Sequence, residues 1–463
     1  MWVRITNFCY NLKLIKHIER VISMRKVLAT NAAKIGRKLS RIRGGSGSTI
    51  PGIIAQRIDP DIARHITSGF DEIVFISGTN GKTTTSNIVG HVLKVSGRDI
   101  VHNIEGSNMF EGILSSFVIQ KNKNTKIAVI EIDEGSIAKT FRYFQPNKMV
   151  FTNFSRDQMD RFGELDTLVD RIIETISKYD VDLILNSDDP FVTRLAKAVD
   201  TAVYYGINEN IYEFSEPNMT ESKFCPRCGE PLVYSWIHYS HIGHYSCQCG
   251  FGRKDPKYKV TELSSGLSID LAINGHKLAT RVSGDYNVYN ILASYALLKE
   301  LGLTNEEIED GIESYQLSDG RMQYFNNDSQ NVMINLAKNP TSFNMSLTIG
   351  HNIVSEEEEA VSYLMALNDN GADGRDVSWI WDVDFEHLND INIDFILCTG
   401  TRAEELALRL KYAGLDEDII SSEQNISRAT EQALKQSKHL VAIPNYTALD
   451  TMHRSIERYF KEG

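Results

Sequence analysis

The sequence predicts an α/β protein: a doubly wound sheet carrying a phosphate-binding loop and a cysteine-rich insertion, followed by a C-terminal Rossmann-like α/β unit. Three observations carry that prediction. Short β-branched runs alternate with helical stretches, the pattern of parallel strands covered by helices on both faces. A glycine-rich turn follows one such run and opens a helix. Four of the six cysteines fall between 225 and 249, where the alternation stops.

Taken in order, residues 1–46 form a basic segment and linker. Residues 1–43 carry eleven Lys or Arg against one acid, Glu19, although the chain as a whole is −12. The first 23 residues read as an extra extension before Met24-Arg-Lys. From Met24 the apolar positions Leu28, Ala32, Ile35, Leu39 and Ile42 recur at helical spacing, interrupted by Gly36. Packing of this greasy face in the core is the expectation; docking on anionic lipid is the alternative. Gly44 to Gly52 reads as a linker.

Residues 47–316 are expected to form the nucleotide-binding domain. Its strands are read at Asp71–Ser77, Lys126–Asp133, Lys148–Phe154 and Val181–Asp189, with helices from Thr83 to about Val95 and over Tyr286–Leu301. The stretch at about 217–257 reads as an insertion. From 317 to 463 the rhythm resumes with VMINLA, AVSYLMALND, DFILCTG and LVAIPNY, giving the C-terminal domain. With 42% apolar and 24% charged residues the chain has ample core material. No apolar run approaches the roughly 18 residues of a membrane span, and no cleavable leader is evident. A cytoplasmic protein, with a peripheral place at the inner membrane face as an option, is the expectation. Net negative charge argues against general nucleic-acid binding.

Gly78-Thr79-Asn80-Gly81-Lys82-Thr83-Thr84 has the chemistry of a nucleotide loop. Glycines let the backbone approach phosphates, Lys82 would offset their charge, and the Thr83 hydroxyl would hold Mg²⁺ beside ATP. The loop is shorter than the commonest form, since Ile76 stands where a first glycine would fall.

Cys225-Pro-Arg-Cys228-Gly and Cys247-Gln-Cys249-Gly are two knuckles 18 residues apart. Four thiolates suit a closed, structural Zn²⁺ site. The second knuckle is C-x-C instead of C-x₂-C. His238, His241 and His244 lie between and are expected to decorate the hairpin, though any could replace a cysteine.

GTNGKTT together with VIEIDEGS (Val129–Ser136) and GDYNVYN (Gly284–Asn290) resembles the Mur ligase family of ATP-dependent, amide-forming enzymes. The resemblance implies the family's central ATPase domain. It assigns Glu131, a carboxylate at a strand end, to Mg²⁺, Asn290 to the nucleotide, and Arg321 of Gly320-Arg321 to phosphate. Asp133 and Glu134 read more simply as capping or solvated acids. Gln158 replaces a family histidine, and Asn335 and Lys338 of NLAKNP replace an Asp and a His. Fewer than fifty residues precede the linker, where the family carries an N-terminal UDP-sugar domain.

With the cysteine insertion, this pattern is similar to the amidating synthetase subunits of that family. The similarity implies ATP-dependent amidation of the D-glutamate α-carboxylate of lipid II, with ammonia from a GatD-type glutaminase partner. It places on Asp376 an acid that completes the partner's catalytic triad, with Asp373 as fallback and Asp382 and Asp384 as poorer matches. A folylpolyglutamate synthase-like ligase and a non-enzymatic zinc-binding scaffold remain as alternatives. A GTPase is disfavoured because Asn122-Lys123-Asn124-Thr125 lacks the final Asp of a guanine reader.

Overall fold

The computed structural model describes residues 24–42, 47–103, 107–120, 122, 124–155, 165–208, 222–265, 269–282, 284, 286–317, 322–327, 329–357 and 360–462. The N-terminal extension, Gln158 and Arg321 lie outside the described residues, as do residues 44–46 of the Gly44–Gly52 linker. The reading of that linker is corrected at its end, where Ile50–Gly52 already belong to the helix Ile50–Ile58, started by Pro51.

The first sheet has nine strands, running His276–Ala279, Ile269–Ile273, Tyr258–Ser265, Ala202–Ile207, Asp182–Asn186, Lys148–Phe151, Glu72–Ser77, Ile127–Glu131 and Ile100–His102. The last seven of these are parallel and the first two pair antiparallel. From Glu72–Ser77 the chain winds to both sides, so the strand order reverses there. Ligands in open α/β sheets bind at the carboxyl ends of the strands beside such a reversal. Period-2 alternation divides the apolar residues of each strand between two cores. Val74, Ile76 and Val129 face one side with the helices Lys82–Val95 and Asn287–Glu300. Phe75, Ile130 and Phe151 face the other with Phe110–Val118 and Leu165–Ile176.

The antiparallel extension differs from the wholly parallel sheet that the alternation predicts. Ile273 pairs with His276 across Asn274-Gly275, both at positive φ (+50° and +81°). That is the two-residue Asn-Gly hairpin turn, a signal the sequence carries locally.

The second sheet runs Gln323–Asn327, Gln330–Ile334, His439–Pro444, Val361–Ala366, Ile393–Thr399 and Ile420–Glu423. Only its first strand is antiparallel. The four expected C-terminal runs all fall on these strands.

Residues 24–42 are helical, as their spacing predicts, but the expectation of which face packs is corrected. Leu28, Ile35, Leu39 and Ile42 are exposed, whereas Ala29 and Ala33 are fully buried. The inward face is the one with small residues. Gly36 packs on the Ile54 side chain of the helix Ile50–Ile58, where a Cβ would sit 2.2 Å from Ile54 Cδ1, and Ala29 and Ala33 join the same core cluster as Ala55.

Candidate functional site

Ser77 ends its strand at the strand-order reversal, and Gly78–Gly81 turns into the helix Lys82–Val95. Gly78 and Gly81 both have positive φ, +127° and +83°. A Cβ on Gly78 would lie 2.2 Å from Thr152 Oγ1, and one on Gly81 would lie 2.1 Å from Asn290 Oδ1. Both positions therefore need glycine for conformation and for space.

The loop is braced by Thr152–Ser155, which follows the neighbouring strand. Thr79 N–H donates to Asn153 O (2.7 Å) and Asn80 N–H to Asn153 Oδ1 (3.1 Å). Thr152 Oγ1 and Asn153 Nδ2 both donate to Asn80 O, at 2.7 and 3.0 Å. Asn80 Nδ2 reaches Ser155 Oγ at 3.2 Å. These bonds fix the loop backbone in place as a cradle.

Lys82 is buried with its ammonium enclosed. Nζ donates to Glu134 Oε2 at 2.9 Å, to Thr79 O at 3.1 Å and also to Gly78 O. Burial works to lower its pKa, but Glu134, Asp133 and Glu131 outweigh that and raise it, so the ammonium stays charged. Burial raises the Glu134 carboxyl, against the pull of Lys82 and, more weakly, of Lys338. Asp133 behaves as the simple reading expected, its Oδ2 accepting the Gly135 N–H at 3.2 Å. Glu134 does not: it is the buried counter-ion of Lys82.

Glu131 ends the strand beside Glu72–Ser77, paired in register with Ile76. It is buried; its Oε1 accepts from Asn108 Nδ2 at 3.0 Å, and Asn103 clamps its backbone at 2.9 and 2.8 Å. Thr83 is half-buried on the first helical turn and Thr84 is buried. A hydroxyl and a fixed carboxylate flanking a phosphate cradle are the hard oxygen donors that suit Mg²⁺.

Asn290 is buried on the helix Asn287–Glu300, which packs on the loop's own helix. Its Nδ2 donates to Asn287 Oδ1 (2.8 Å) and its Oδ1 accepts from Thr85 Oγ1 (3.4 Å). It thus abuts the loop at Gly81. From the second sheet's side, Asn339 Nδ2 donates to Asn80 Oδ1 at 3.0 Å, tying NLAKNP directly to the loop tip. Within that segment Asn335 accepts the Met322 N–H (3.2 Å) and donates to Ser346 Oγ (2.9 Å). Read from sequence alone, Glu134 is a capping or solvated acid and Asn339 has no assigned partner. Both contacts join segments far apart in the chain.

The four cysteines converge at the base of the Val233–Tyr239 and Ile242–Ser246 hairpin. Cys225 and Cys249 Sγ are 3.6 Å apart, Cys228 and Cys247 Sγ 3.5 Å, and all four lie within 4.8 Å. Arg227 N–H donates to Cys225 Sγ at 3.4 Å. Gly229 and Gly250 close the two turns at φ +80° and +82°. All four are free thiols. A convergent four-sulfur donor set fits a tetrahedral soft-to-borderline cation.

The histidines do not join them. His238 and His244 turn to Asp188, with ligand atoms within 4.8 Å of one another, and His241 lies 3.5 Å from Asp189. Asp188 is already engaged by Arg253, Ser187, the Ile207 N–H and the Tyr289 hydroxyl. This buried network fastens the hairpin to the first sheet.

Asp376 is exposed, and its Oδ1 accepts the Ser378 N–H at 2.9 Å, which lowers its pKa. It lies far along the chain from the phosphate loop, on a turn following Gly374. Asp373 is occupied: its carboxylate takes the Thr447 N–H (2.8 Å) and hydroxyl (2.5 Å). Asp384 faces His387 at 2.9 Å.

The Mur ligase middle domain model matches residues 76–235, and the MurT ligase C-terminal model matches residues 336–449. The lipid II isoglutaminyl synthase (glutamine-hydrolyzing) subunit MurT of Staphylococcus aureus (strain COL) is 50% identical over 440 residues, covering 95% of this chain and 100% of that protein. The subunit of the same name from Streptococcus pneumoniae (strain ATCC BAA-255 / R6) is 34% identical over 421 residues, covering 89% and 92%. Among solved structures, a pseudomurein peptide ligase type C from Methanothermus fervidus superimposes with a TM-score of 0.67 at 22% identity, over 86% of this chain and 81% of that one. MurF from Acinetobacter baumannii gives 0.62 at 16% identity, over 89% and 80%. These two show the shared fold. Identity along the full length of a MurT subunit goes further: this chain belongs to the MurT family of Mur ligase-type proteins.

Proposed function

We propose that this chain is the ATP-dependent synthetase subunit of a lipid II isoglutaminyl synthase, amidating the α-carboxylate of D-glutamate in the stem peptide. The observation that carries the chemistry is Lys82, held charged inside the loop Gly78–Thr84 at the strand-order reversal. The family supplies the substrate. A carboxylate resists ammonia because its leaving group would be oxide. Transfer of the γ-phosphoryl of ATP to a carboxylate oxygen gives ADP and an acyl phosphate. Ammonia then adds to the acyl carbon, inorganic phosphate leaves, and the amide results after loss of a proton.

Lys82 and the loop N–H groups would offset charge on the transferring phosphoryl group. Thr83 and Glu131 would hold Mg²⁺, which when bound supplies further neutralisation there. Gly78, Thr79, Asn80, Gly81 and Thr84 shape the phosphate cradle, and Asn290 and Arg321 are assigned to the nucleotide. Cys225, Cys228, Cys247 and Cys249 would hold a structural Zn²⁺ that joins two knuckles and leaves no open position for chemistry. We read residues 47–316 as the ATP-binding domain with the cysteine insertion as a zinc ribbon, and 317–463 as a Rossmann-like C-terminal domain.

Ammonia is assigned to a GatD-type glutaminase subunit. Glutamine hydrolysis needs a thiolate nucleophile. Among the described residues, four thiols belong to the cluster, and burial pushes the Cys398 thiol up to about 12. Asp376, exposed and ionised, is the acid proposed to orient the partner's histidine.

Incubating the purified chain with lipid II, ATP and ammonium, with and without the glutaminase, tests the reading. Amidated lipid II is expected with ammonium alone, and with glutamine only when the partner is present. ATP binding without amidation under either condition would overturn it. Activity on folate and glutamate would support the folylpolyglutamate alternative instead.

A further inference from the structure

We infer that the helix over residues 24–42 is a docking surface for an anionic lipid bilayer. At 100° per residue, Met24, Val27, Leu28, Ile35, Leu39 and Ile42 fall within an arc of about 120°. These six side chains are between 55% and 81% exposed. Scattered exposed aliphatics are ordinary, but six large ones gathered in one arc along five turns, interrupted there by Asn31 and Lys38, are a surface seeking a partner. The helix does not dangle. Its opposite face, Ala29 and Ala33, is buried in the core, Gly36 packs on Ile54, and Lys26 Nζ donates to the His65 carbonyl at 2.6 Å. The stripe is therefore presented rigidly, at little entropic cost on binding.

Charge selects the occupant. Residues 24–42 contain six basic residues and no acid; Arg25 and Lys34 are exposed on either side of the stripe and Lys38 is exposed within its arc. A second copy docking stripe to stripe would bring these like charges together. Residues 1–23 carry four more basic residues against Glu19, so covering the stripe with them meets the same repulsion. An anionic headgroup layer over an apolar interior complements both features. The rest of the chain is acidic enough to leave a net charge of −12, so the same bilayer repels the body while it draws in this helix, which orients the protein. Among the described residues no helix is long and apolar enough to span a membrane, so the helix lies in the interface. The surface stands on its own geometry; only its benefit, faster encounter with a lipid-linked substrate, rests on the function proposed above.

The test is co-sedimentation of the full chain with phosphatidylcholine vesicles, with and without phosphatidylglycerol, for wild type, a Leu28→Glu/Ile35→Glu/Leu39→Glu variant and a Lys34→Glu/Lys38→Glu variant. Wild type should bind only the anionic vesicles. Each basic residue lost should weaken partitioning by about fivefold, and the stripe variant should lose at least about tenfold. All substituted side chains are exposed, so melting temperature and zinc content should match wild type. The inference is overturned if wild type ignores anionic vesicles or if the stripe variant binds as wild type does. It is equally overturned if light scattering shows a dimer that the stripe variant converts to monomer, which would make a second copy the occupant. Amidation of a water-soluble, lipid-free stem-peptide substrate should be equal in wild type and stripe variant. Absence of that activity in both would remove the proposed reaction and leave the lipid surface standing.

Discussion

Lys82 Nζ and Glu134 Oε2 lie 2.9 Å apart with both side chains nearly excluded from solvent, a buried ion pair at the mouth of the phosphate loop. An ion pair there keeps the lysine charged and aimed at the loop. It also makes Glu134 the group that must give way, or rearrange, when phosphates claim the ammonium.

Lys82→Ala should abolish ATP-dependent amidation while leaving zinc content unchanged. It should also destabilise the fold by about 3 kcal/mol, because it strands a buried carboxylate. Lys82→Met/Glu134→Gln should recover most of that stability without recovering activity. Melting temperatures and turnover of the single and double variants check both halves; a double variant no more stable than Lys82→Ala would remove the ion pair from the account.

Asp376→Asn should preserve ammonium-driven amidation and reduce glutamine-driven amidation strongly, by about 10⁴-fold if the residue acts as a triad acid does. The substitution keeps an oxygen to accept the Ser378 N–H, so the turn should hold. Asp373→Asn is the contrast, weakening the Thr447 contact and hence stability. Equal loss of both nitrogen sources in Asp376→Asn would place the residue in the ligase reaction or in folding.

Cys228→Ser should lower bound zinc from one equivalent toward none and open the hairpin to proteolysis, since a tetrahedral site tolerates loss of a thiolate poorly. Elemental analysis and protease nicking between 222 and 253 measure this. Full zinc retention in the variant would exclude a four-cysteine site.

Acid should weaken the fold before carboxylates titrate. Burial pushes both His238 and His102 down to about 4 from an ordinary 6.5. Unfolding lets each take up a proton anywhere between those values, so stability is complete above pH 6.5 and falls toward pH 4, by up to about 3 kcal/mol per histidine. His102 is remote from the cysteines, so His102→Gln should make the decline in melting temperature from pH 7 to 4.5 shallower without altering zinc. An unchanged decline would mean that other groups set it.

Local chemistry in this chain was legible directly. Gly78 to Thr84 is consecutive, and its glycines, lysine and hydroxyls imply one kind of loop whatever surrounds them. The two cysteine knuckles likewise announce themselves by spacing, and the strands of both sheets show as β-branched runs. The Asn274-Gly275 hairpin is equally local, its turn set by two residues at positive φ.

What the sequence alone left open were choices settled by partners distant in the chain. Glu134 reads as one of several acids near a strand end until the pairing of Ile76 with Glu131 brings it to Lys82. His238 and His244 sit among cysteines in sequence, yet hairpin alternation turns them toward Asp188. Asn339 meets Asn80 only because the second sheet is laid against the first strand's loop. The basic helix states the case most plainly. Periodicity showed that residues 24–42 have an apolar face, but which face goes inward depended on the neighbour. Gly36 packs against Ile54 of the helix Ile50–Ile58 and Ala29 and Ala33 are buried in the core, so the aliphatic stripe was left outside.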